Sequence, residues 1–263
     1  MRHLPAVFGI YLVSFLLIIS WKPQPGQWQM EKHKGFTFYY TSADKDNKEE
    51  YIEILENGIK QVNQFFSQQY ISSFKVYSHP DRSSLDSTWQ KDWNMPGFKS
   101  ECWMVASGGA TRVDLISPRS WDTQSCEHSY LNTEKTQQLI THELVHVYHG
   151  QQNISKDFSN TEGIDWFVEG LATYASGQLD SGKLDEIKAA ITNSKVPATL
   201  DKFWTGKLRY GLSGSMVMYV DLKYGRNTIK ELLKYNKIAG ILSLLNTTEE
   251  QLVSDWKEHM LSL

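Results

Sequence analysis

The sequence predicts an α+β fold with a small mixed sheet and helices in the N-terminal half, an all-helical C-terminal half, and a cleft between the halves. Strand-like and helix-like patterns alternate up to about residue 150, and only helix-like patterns follow. The chain has 263 residues, 40% of them hydrophobic, so it can bury one sizeable core. A net charge of -3 gives no electrostatic reason to expect nucleic acid as a partner.

The N-terminal half contains patterns for two strands, a long helix and a hairpin. Residues Phe36–Tyr40 and 74–78 have the composition and alternation of strands, and residues 44–69 place apolar side chains on one helical stripe. Residues 102–106 and 111–117 are predicted to pair across a glycine-containing turn. The 111–117 strand is a candidate edge for pairing with an extended peptide, although an interior strand fits its sequence equally well.

The first 27 residues form a leader that is distinct from the rest of the chain. Arg2 and His3 precede an apolar stretch over residues 4–21, and a polar, turn-prone segment follows it. This order predicts a secretory signal peptide or an uncleaved N-terminal membrane anchor, because about 18 apolar residues is near the lower limit for a spanning helix. We therefore expect an extracytoplasmic protein, secreted or membrane-anchored, whose folded domain covers residues 28–263.

Two cysteines, Cys102 and Cys126, are present in the whole sequence. An even number of cysteines in an exported chain predicts a disulfide between them. Two free buried thiols are the alternative that composition leaves open.

The most informative motif is His142-Glu143-Leu144-Val145-His146, within a segment predicted to be helical from about residue 132 to residue 150. Residues four apart lie on one helical face, so the two histidines can offer their ring nitrogens to one metal ion. Glu143 is then directed at the same site. This is the spacing that zinc hydrolases use.

A third ligand is needed to complete such a centre, since catalytic zinc usually has three protein ligands and one open position. Residues 166–174 are apolar except for the carboxylate of Glu169. A lone carboxylate in a buried helix is costly unless it is paired or binds a cation. Glu169 is therefore the candidate, with pairing to a lysine or arginine as the alternative. The small residues Gly170 and Ala172 are expected to let this helix approach the motif helix closely.

The two motifs together resemble the gluzincin metallopeptidases, in particular the peptidase MA-like domains and the aminopeptidase-N-like branch of the clan with HExxH and a later glutamate. The resemblance implies a zincin-like fold and one zinc ion held by His142, His146 and Glu169. It further implies that Glu143 is the general base and that the substrate is a peptide or protein. The spacing between His146 and Glu169 favours the shorter domains of the family.

Several positions depart from related branches. His149 and Gln152 stand where metzincins have glycine and a third histidine, and Thr173 stands where thermolysin-like enzymes have an aspartate. Residues 109–113 lack the glutamate with which the aminopeptidase branch binds a free amine. An endopeptidase is therefore predicted in preference to an aminopeptidase.

Tyr210 is the candidate donor to a developing oxyanion, because the resemblance places a tyrosine ahead of a helix that ends in Tyr-Gly. A tyrosine packed at a helix start explains the pattern equally well, and Tyr148 and Tyr174 are weaker candidates. Asp165 is a candidate for orienting a ligand histidine.

The remaining histidines are not expected to bind metal. His149 is predicted to be a cation at the C-terminal end of its helix, where the helix dipole favours positive charge. His33, His79 and His259 are predicted to lie at the surface, and His128 could reach the cleft.

Helices are also predicted over residues 184–192, 216–224, 229–233 and 249–261. Two functions remain. The first is an exported zinc metallopeptidase, and the second is a catalytically silent zinc-binding module that recognises a cell-surface partner. Glu143 favours the first, because a structural zinc site has no use for a general base. The oligomeric state is left open.

Overall fold

The computed structural model describes residues 27–263, which form one five-stranded sheet and ten α-helices with three short 3-10 turns. The strands are β1 (Gln29–Lys32), β2 (Phe36–Tyr40), β3 (Phe74–His79), β4 (Ala106–Gly109) and β5 (Arg112–Ile116). Their order in the sheet is β1-β2-β3-β5-β4. The inner pairs β2/β3 and β3/β5 are parallel, and the outer pairs are antiparallel. The predicted α+β class with a small mixed sheet is confirmed.

The helices divide between the two halves of the chain as predicted. Those of the N-terminal half are α1 (Lys48–Phe66), α2 (Arg82–Asp92), α3 (Trp121–Gln124) and α4 (Thr133–Gln152). Those of the C-terminal half are α5 (Asp165–Ala175), α6 (Ser181–Thr192), α7 (Arg209–Tyr224), α8 (Arg226–Leu232), α9 (Ile238–Leu245) and α10 (Glu249–Ser262). The sequence patterns missed β1, α2, α3 and α9, and they placed the start of α7 at residue 216, two turns too late.

The hydrophobic core lies between the sheet and the helices α1 and α4 and continues into the helices of the C-terminal half. Burial alternates along β2, whereas the interior strand β5 buries residues 113–116 in succession. A Cβ atom at Gly58 of α1 would lie 2.6 Å from Leu144 Cδ1 of α4, so the glycine allows these two helices to pack closely. Helix α4 is thereby held beneath the sheet with almost every residue of its second half buried.

The hairpin before α4 differs from its prediction. The first strand is β4, which includes the glycines that were assigned to the turn, whereas residues 102–104 lie outside it. A Cβ atom at Gly108 would lie 2.4 Å from the backbone oxygen of Glu143, so this glycine serves a close approach of β4 to α4. Of the two alternatives left open for residues 111–117, the interior strand is the one observed, because β5 pairs with both β3 and β4 and the edge is β4.

Gly170 of α5 packs against α7 and not, as expected, against the motif helix α4. A Cβ atom there would lie 2.3 Å from the backbone oxygen of Ser213 in α7. Gly170 therefore permits the close packing of α5 on α7 and not on the motif helix. Ala172 is fully buried in the same helix.

The predicted leader lies almost wholly outside the described residues, which begin at residue 27. Within residues 27–263, no helix combines the length and the apolar character needed to cross a membrane.

Candidate metal centre

Helix α4 places the two motif histidines on one face, as predicted. Its N-terminus is capped by Asn132, whose side chain accepts a hydrogen bond from the backbone N–H of Lys135. The Nε2 atoms of His142 and His146 lie 3.0 Å apart, and each residue is 6% exposed. The two rings therefore converge on one point in a nearly buried environment.

Helix α5 brings a carboxylate to the same point. Glu169 Oε2 lies 3.3 Å from His142 Nε2 and 3.6 Å from His146 Nε2. The three donor atoms lie within 4.8 Å of one another, which makes the group suitable for one metal ion. Within the described part of the chain Glu169 pairs with no lysine or arginine, so the alternative explanation for its position is not supported. Burial alone would raise the pKa of Glu169, but the rings of His146 and His142 outweigh burial and hold that pKa below its usual range.

The donor set fits zinc. The Nδ1 atom of His142 lies 2.8 Å from Oε1 of Gln178, so this nitrogen donates its hydrogen to the amide oxygen and Nε2 keeps its lone pair. The Nδ1 atom of His146 has no hydrogen-bond partner among the described residues, so its Nε2 is also free to offer a lone pair. Two ring nitrogens and a carboxylate oxygen thus converge as the ligands of one cation do. Two imidazoles and one carboxylate are the protein ligands of a well-known class of catalytic zinc sites that keep a fourth position open.

Gln178 takes the orienting role that was expected of Asp165. Asp165 lines the same cavity, and burial raises its pKa, but its side chain makes no hydrogen bond with a described histidine. Gln178 follows α5 in a short loop, nine residues after Glu169, and nothing in the sequence distinguishes it from the other glutamines.

Glu143 lies beside the convergence point and is 9% exposed. Burial raises its pKa to about 7, an effect that His142 opposes and Glu169 reinforces. A carboxylate with a pKa near neutrality can both accept and release a proton at physiological pH.

His149 is not the helix-end cation that was predicted. It is fully buried, and burial lowers its pKa to about 3, so its ring is neutral at physiological pH. Its ring packs against Phe158 and Phe167. The surface prediction for His79 is also wrong, because it is 1% exposed and its Nε2 lies 2.7 Å from a carboxylate oxygen of Asp114.

Tyr210 stands in the first turn of α7, and its ring centroid lies 6.5 Å from that of His142. Burial raises the pKa of Tyr210, so its hydroxyl keeps its proton. The two weaker candidates point elsewhere: the hydroxyl of Tyr148 donates to Gln68 and that of Tyr174 donates to Asp221.

A cleft of about 970 Å³ surrounds this group and receives residues from both halves of the chain. The edge strand β4 and helix α4 form one wall, and α5 with residues Trp204 and Tyr210 forms the other. His128 also lines the cleft, where a ring nitrogen lies 3.1 Å from the carbonyl oxygen of Trp103.

The segment 100–104, at the entrance to β4, is fixed in two ways. Cys102 and Cys126 are joined by a disulfide bond. The guanidinium of Arg82 donates hydrogen bonds to the carbonyl oxygens of Glu101, Cys102 and Met104. Trp103 is thereby held at the rim of the cleft.

No protein-family model matches the sequence, and no curated protein matches it either. Among solved structures, the chain is similar to a mutant of the M1 zinc metallopeptidase from Deinococcus radiodurans, with 17% identity and a TM-score of 0.46 over 84% of this chain and 48% of that chain. It is also similar to yeast LTA4 hydrolase in complex with bestatin, with 14% identity and a TM-score of 0.49 over 90% of this chain and 38% of that one. The chain spans about half the length of these two proteins or less. The site itself, and not this likeness, carries the functional proposal.

Proposed function

We propose that this chain is an exported zinc-dependent metallopeptidase of gluzincin type that cleaves internal peptide bonds. The observation that carries the proposal is the convergence of His142 Nε2, His146 Nε2 and Glu169 Oε2 on one point of a cleft that Glu143 also faces. A bound zinc ion would lower the pKa of a coordinated water and polarise the scissile carbonyl. A structural zinc site would have no need of the neighbouring carboxylate.

Glu143 is assigned the proton transfers. Its carboxylate would take a proton from the attacking water and deliver it to the nitrogen of the leaving amine. Its position next to His142 in the sequence keeps it on the helix that supplies two of the ligands.

Tyr210 is assigned the stabilisation of negative charge on the carbonyl oxygen. Its hydroxyl is protonated, as a hydrogen-bond donor must be, and its ring stands beside that of His142. A donor of this kind contributes most when it is fixed before the charge develops. The packing of Trp204 edge-on against Tyr210, with centroids 4.8 Å apart, fixes the ring.

Strand β4 is the proposed support for the substrate backbone. It is the edge of the sheet, it lines the cleft, and Gly108 and Gly109 present no side chain to an approaching peptide. An extended peptide can add to such an edge by backbone hydrogen bonds.

The segment after β4 supports cleavage at internal bonds over recognition of a free amine. Arg112 stands in this segment and forms ion pairs with Asp92 and Asp114. The charge of Arg112 is therefore balanced by these two carboxylates. Residues 109–113 contain no carboxylate that could bind the terminal ammonium group of a peptide. Export is supported by the predicted leader and by the disulfide, which persists in oxidising compartments.

The test is a peptide library assayed with the zinc-loaded protein, the same protein after chelation, and the Glu143→Gln variant. We expect cleavage by the zinc-loaded protein, its loss on chelation and recovery with zinc. Glu143→Gln should retain zinc but lose at least about 100-fold in kcat/KM, the contribution of a positioned general base. A zinc-loaded wild type that cleaves nothing would instead favour the silent zinc-binding module.

A further inference from the structure

Three aromatic residues, Trp89, Trp93 and Phe98, form a shelf at the C-terminal end of α2. The indole of Trp93 stacks on that of Trp89 with ring centroids 4.8 Å apart, and the ring of Phe98 packs edge-on against Trp93 at 5.2 Å. Trp89 is buried, whereas Trp93 is 42% exposed. Both tryptophans line the cleft that contains the metal centre. The aromatic shelf therefore presents an apolar surface to the cleft.

The loop after α2 holds Trp93 in place. The side-chain amide of Gln90 donates a hydrogen bond of 2.7 Å to the carbonyl oxygen of Phe98, and the backbone N–H of Met95 donates one of 2.9 Å to the carbonyl oxygen of Gln90. A side chain that is already ordered loses little conformational entropy when a ligand covers it. The aromatic shelf is thus prepared for binding before a ligand arrives.

Strand β4 has one face towards α4 and the other towards α2. A Cβ atom at Gly108 would lie 3.0 Å from the Cβ atom of His146, so position 108 faces α4. Side chains alternate along a strand, so Gly109 faces the opposite side. Its partner in β5 is Arg112, whose guanidinium lies 2.8 Å from a carboxylate oxygen of Asp92 at the end of α2. Position 109 therefore lies on the side of the aromatic shelf.

The fold itself does not require a glycine at position 109. A Cβ atom there would meet no atom closer than 3.9 Å, which is ordinary van der Waals contact, and its φ is not in the left-handed region. Gly108, by contrast, is needed for the approach of β4 to α4. The missing side chain of Gly109 leaves open space on the α2 side of the edge strand.

A peptide that adds to β4 continues the pleat of the sheet, so its side chains point alternately to the α4 side and to the α2 side. A peptide residue opposite Gly109 points its side chain to the α2 side, where it meets this open space and the indole of Trp93. The charged groups there already pair with one another, Arg112 with both Asp92 and Asp114. The surface that remains for the substrate is the apolar face of the aromatic shelf.

We propose that the aromatic shelf is a subsite for one large apolar side chain of the substrate, with aromatic side chains preferred. The proposal rests on the proposed peptidase function and names the substrate class of that site. Aromatic pairs gain more than the burial of their area when they meet in offset or edge-to-face geometry, which favours phenylalanine over alanine or a charged residue. The two peptide positions beside the one on the shelf point to the α4 side and do not contact Trp93.

The test uses one cleavable peptide in which each position around the scissile bond carries phenylalanine, alanine, lysine or glutamate in turn. For the wild type we expect one position at which phenylalanine exceeds alanine by about 10-fold or more in kcat/KM, because the ring removes apolar surface from water. Lysine and glutamate at that position should be no better than alanine.

The variants attribute this preference to Trp93. Trp93→Ala should reduce the ratio of phenylalanine to alanine to near one, and Trp93→Phe should keep part of it, because a smaller ring still offers an apolar face. The ratios at the two neighbouring positions should not change. Met95→Ala is the matched control: it removes a 49% exposed apolar side chain from the same loop, outside the cavity, and should leave every ratio unchanged. Because each ratio is taken within one variant, a general loss of activity or of folded protein cancels.

Binding supplies a readout that does not depend on cleavage. In the zinc-loaded Glu143→Gln background, calorimetry should show the phenylalanine peptide binding more tightly than the matched alanine peptide, and adding Trp93→Ala should abolish the difference. If no peptide is cleaved, the peptidase function fails, while this binding comparison still decides the role of Trp93.

Three results would overturn the proposal. The first is equal binding and cleavage of the phenylalanine and alanine peptides at every position by protein with intact Trp93. The second is a preference for phenylalanine that survives Trp93→Ala. The third is a preference for lysine or glutamate at the position that responds to Trp93→Ala, since charge would then select the substrate there.

Discussion

Two buried polar clusters in this molecule differ in one respect. In the first, the buried carboxylate of Asp44 accepts hydrogen bonds from Ser78 and Ser117 and pairs with Arg119. In the second, the ring nitrogens of His142 and His146 and a carboxylate oxygen of Glu169 converge within 4.8 Å of one another. In the first cluster every buried polar group has a hydrogen-bond or ion-pair partner within the protein, so its stability needs no further ligand. A cluster whose ring nitrogens and carboxylate oxygen converge on one point has the arrangement of a metal site.

The largest expected effect is on zinc affinity, which should depend on the cluster of His142, His146 and Glu169 and not on that of Asp44. Glu169→Gln removes the anionic ligand, so zinc affinity should fall by more than about 100-fold, beyond the range for residues that only support a ligand. Thermal stability of the zinc-free protein should change little. Isothermal titration with zinc measures the affinity, and Glu186→Gln, an exposed change on α6, is the control. Unchanged affinity in Glu169→Gln would remove this residue from the centre.

The converse experiment addresses the cluster around Asp44. Asp44→Ala leaves the buried hydroxyls of Ser78 and Ser117 without their shared acceptor, whereas the partly exposed Arg119 can turn to water. The free energy of unfolding should therefore fall by about 2 kcal/mol. Urea denaturation measures this loss. Zinc affinity of the folded variant should match the wild type, and a large drop in affinity would show that the two clusters are not independent.

Gln178 is the polar contact that His142 makes outside the cluster of His142, His146 and Glu169. Gln178→Ala should weaken zinc binding by about 10- to 100-fold, the usual effect of losing the partner that orients a ligand histidine. Gln178→Glu should preserve the affinity, since a carboxylate also accepts the Nδ1 hydrogen. Equal affinity in wild type and Gln178→Ala would mean that the helix alone orients His142.

His149 contributes a stability that depends on pH. Its folded-state pKa of about 3 lies below the ordinary value of 6.5, so the unfolded chain binds more protons between these values. Its stabilising contribution is complete above pH 6.5 and is lost as the pH falls towards 3, at up to about 1.4 kcal/mol per pH unit.

The measurement is the difference in unfolding free energy between pH 7.5 and pH 5.0. His149→Gln, which does not titrate, should show a difference smaller by about 2 kcal/mol than that of the wild type. If both proteins lose the same stability on acidification, His149 is not a buried neutral group.

The sequence predicted well what depends on local periodicity. Helix α4 begins where Asn132 caps it, and the spacing of His142 and His146 determines their common face. Glu169 could be singled out because a carboxylate was isolated in an apolar helix. These inferences need only the geometry of one helix at a time.

The predictions were wrong where the role of a residue depends on a contact with a residue far away in the sequence. A glycine in a turn and a glycine beneath a crossing helix look the same in a sequence, so Gly108 was assigned to a turn and Gly170 to the wrong helix. Gln178 carries no sequence signal, because it is identified only by its contact with His142.

The central claim is that His142, His146 and Glu169 form a zinc centre whose fourth coordination position is open to water or substrate. An anomalous-scattering map of zinc-loaded crystals tests it directly. The account predicts one strong peak at about 2.0–2.2 Å from His142 Nε2, His146 Nε2 and a carboxylate oxygen of Glu169, with the fourth position turned to the cleft. A peak elsewhere, or a fourth protein ligand closing the site, would contradict it.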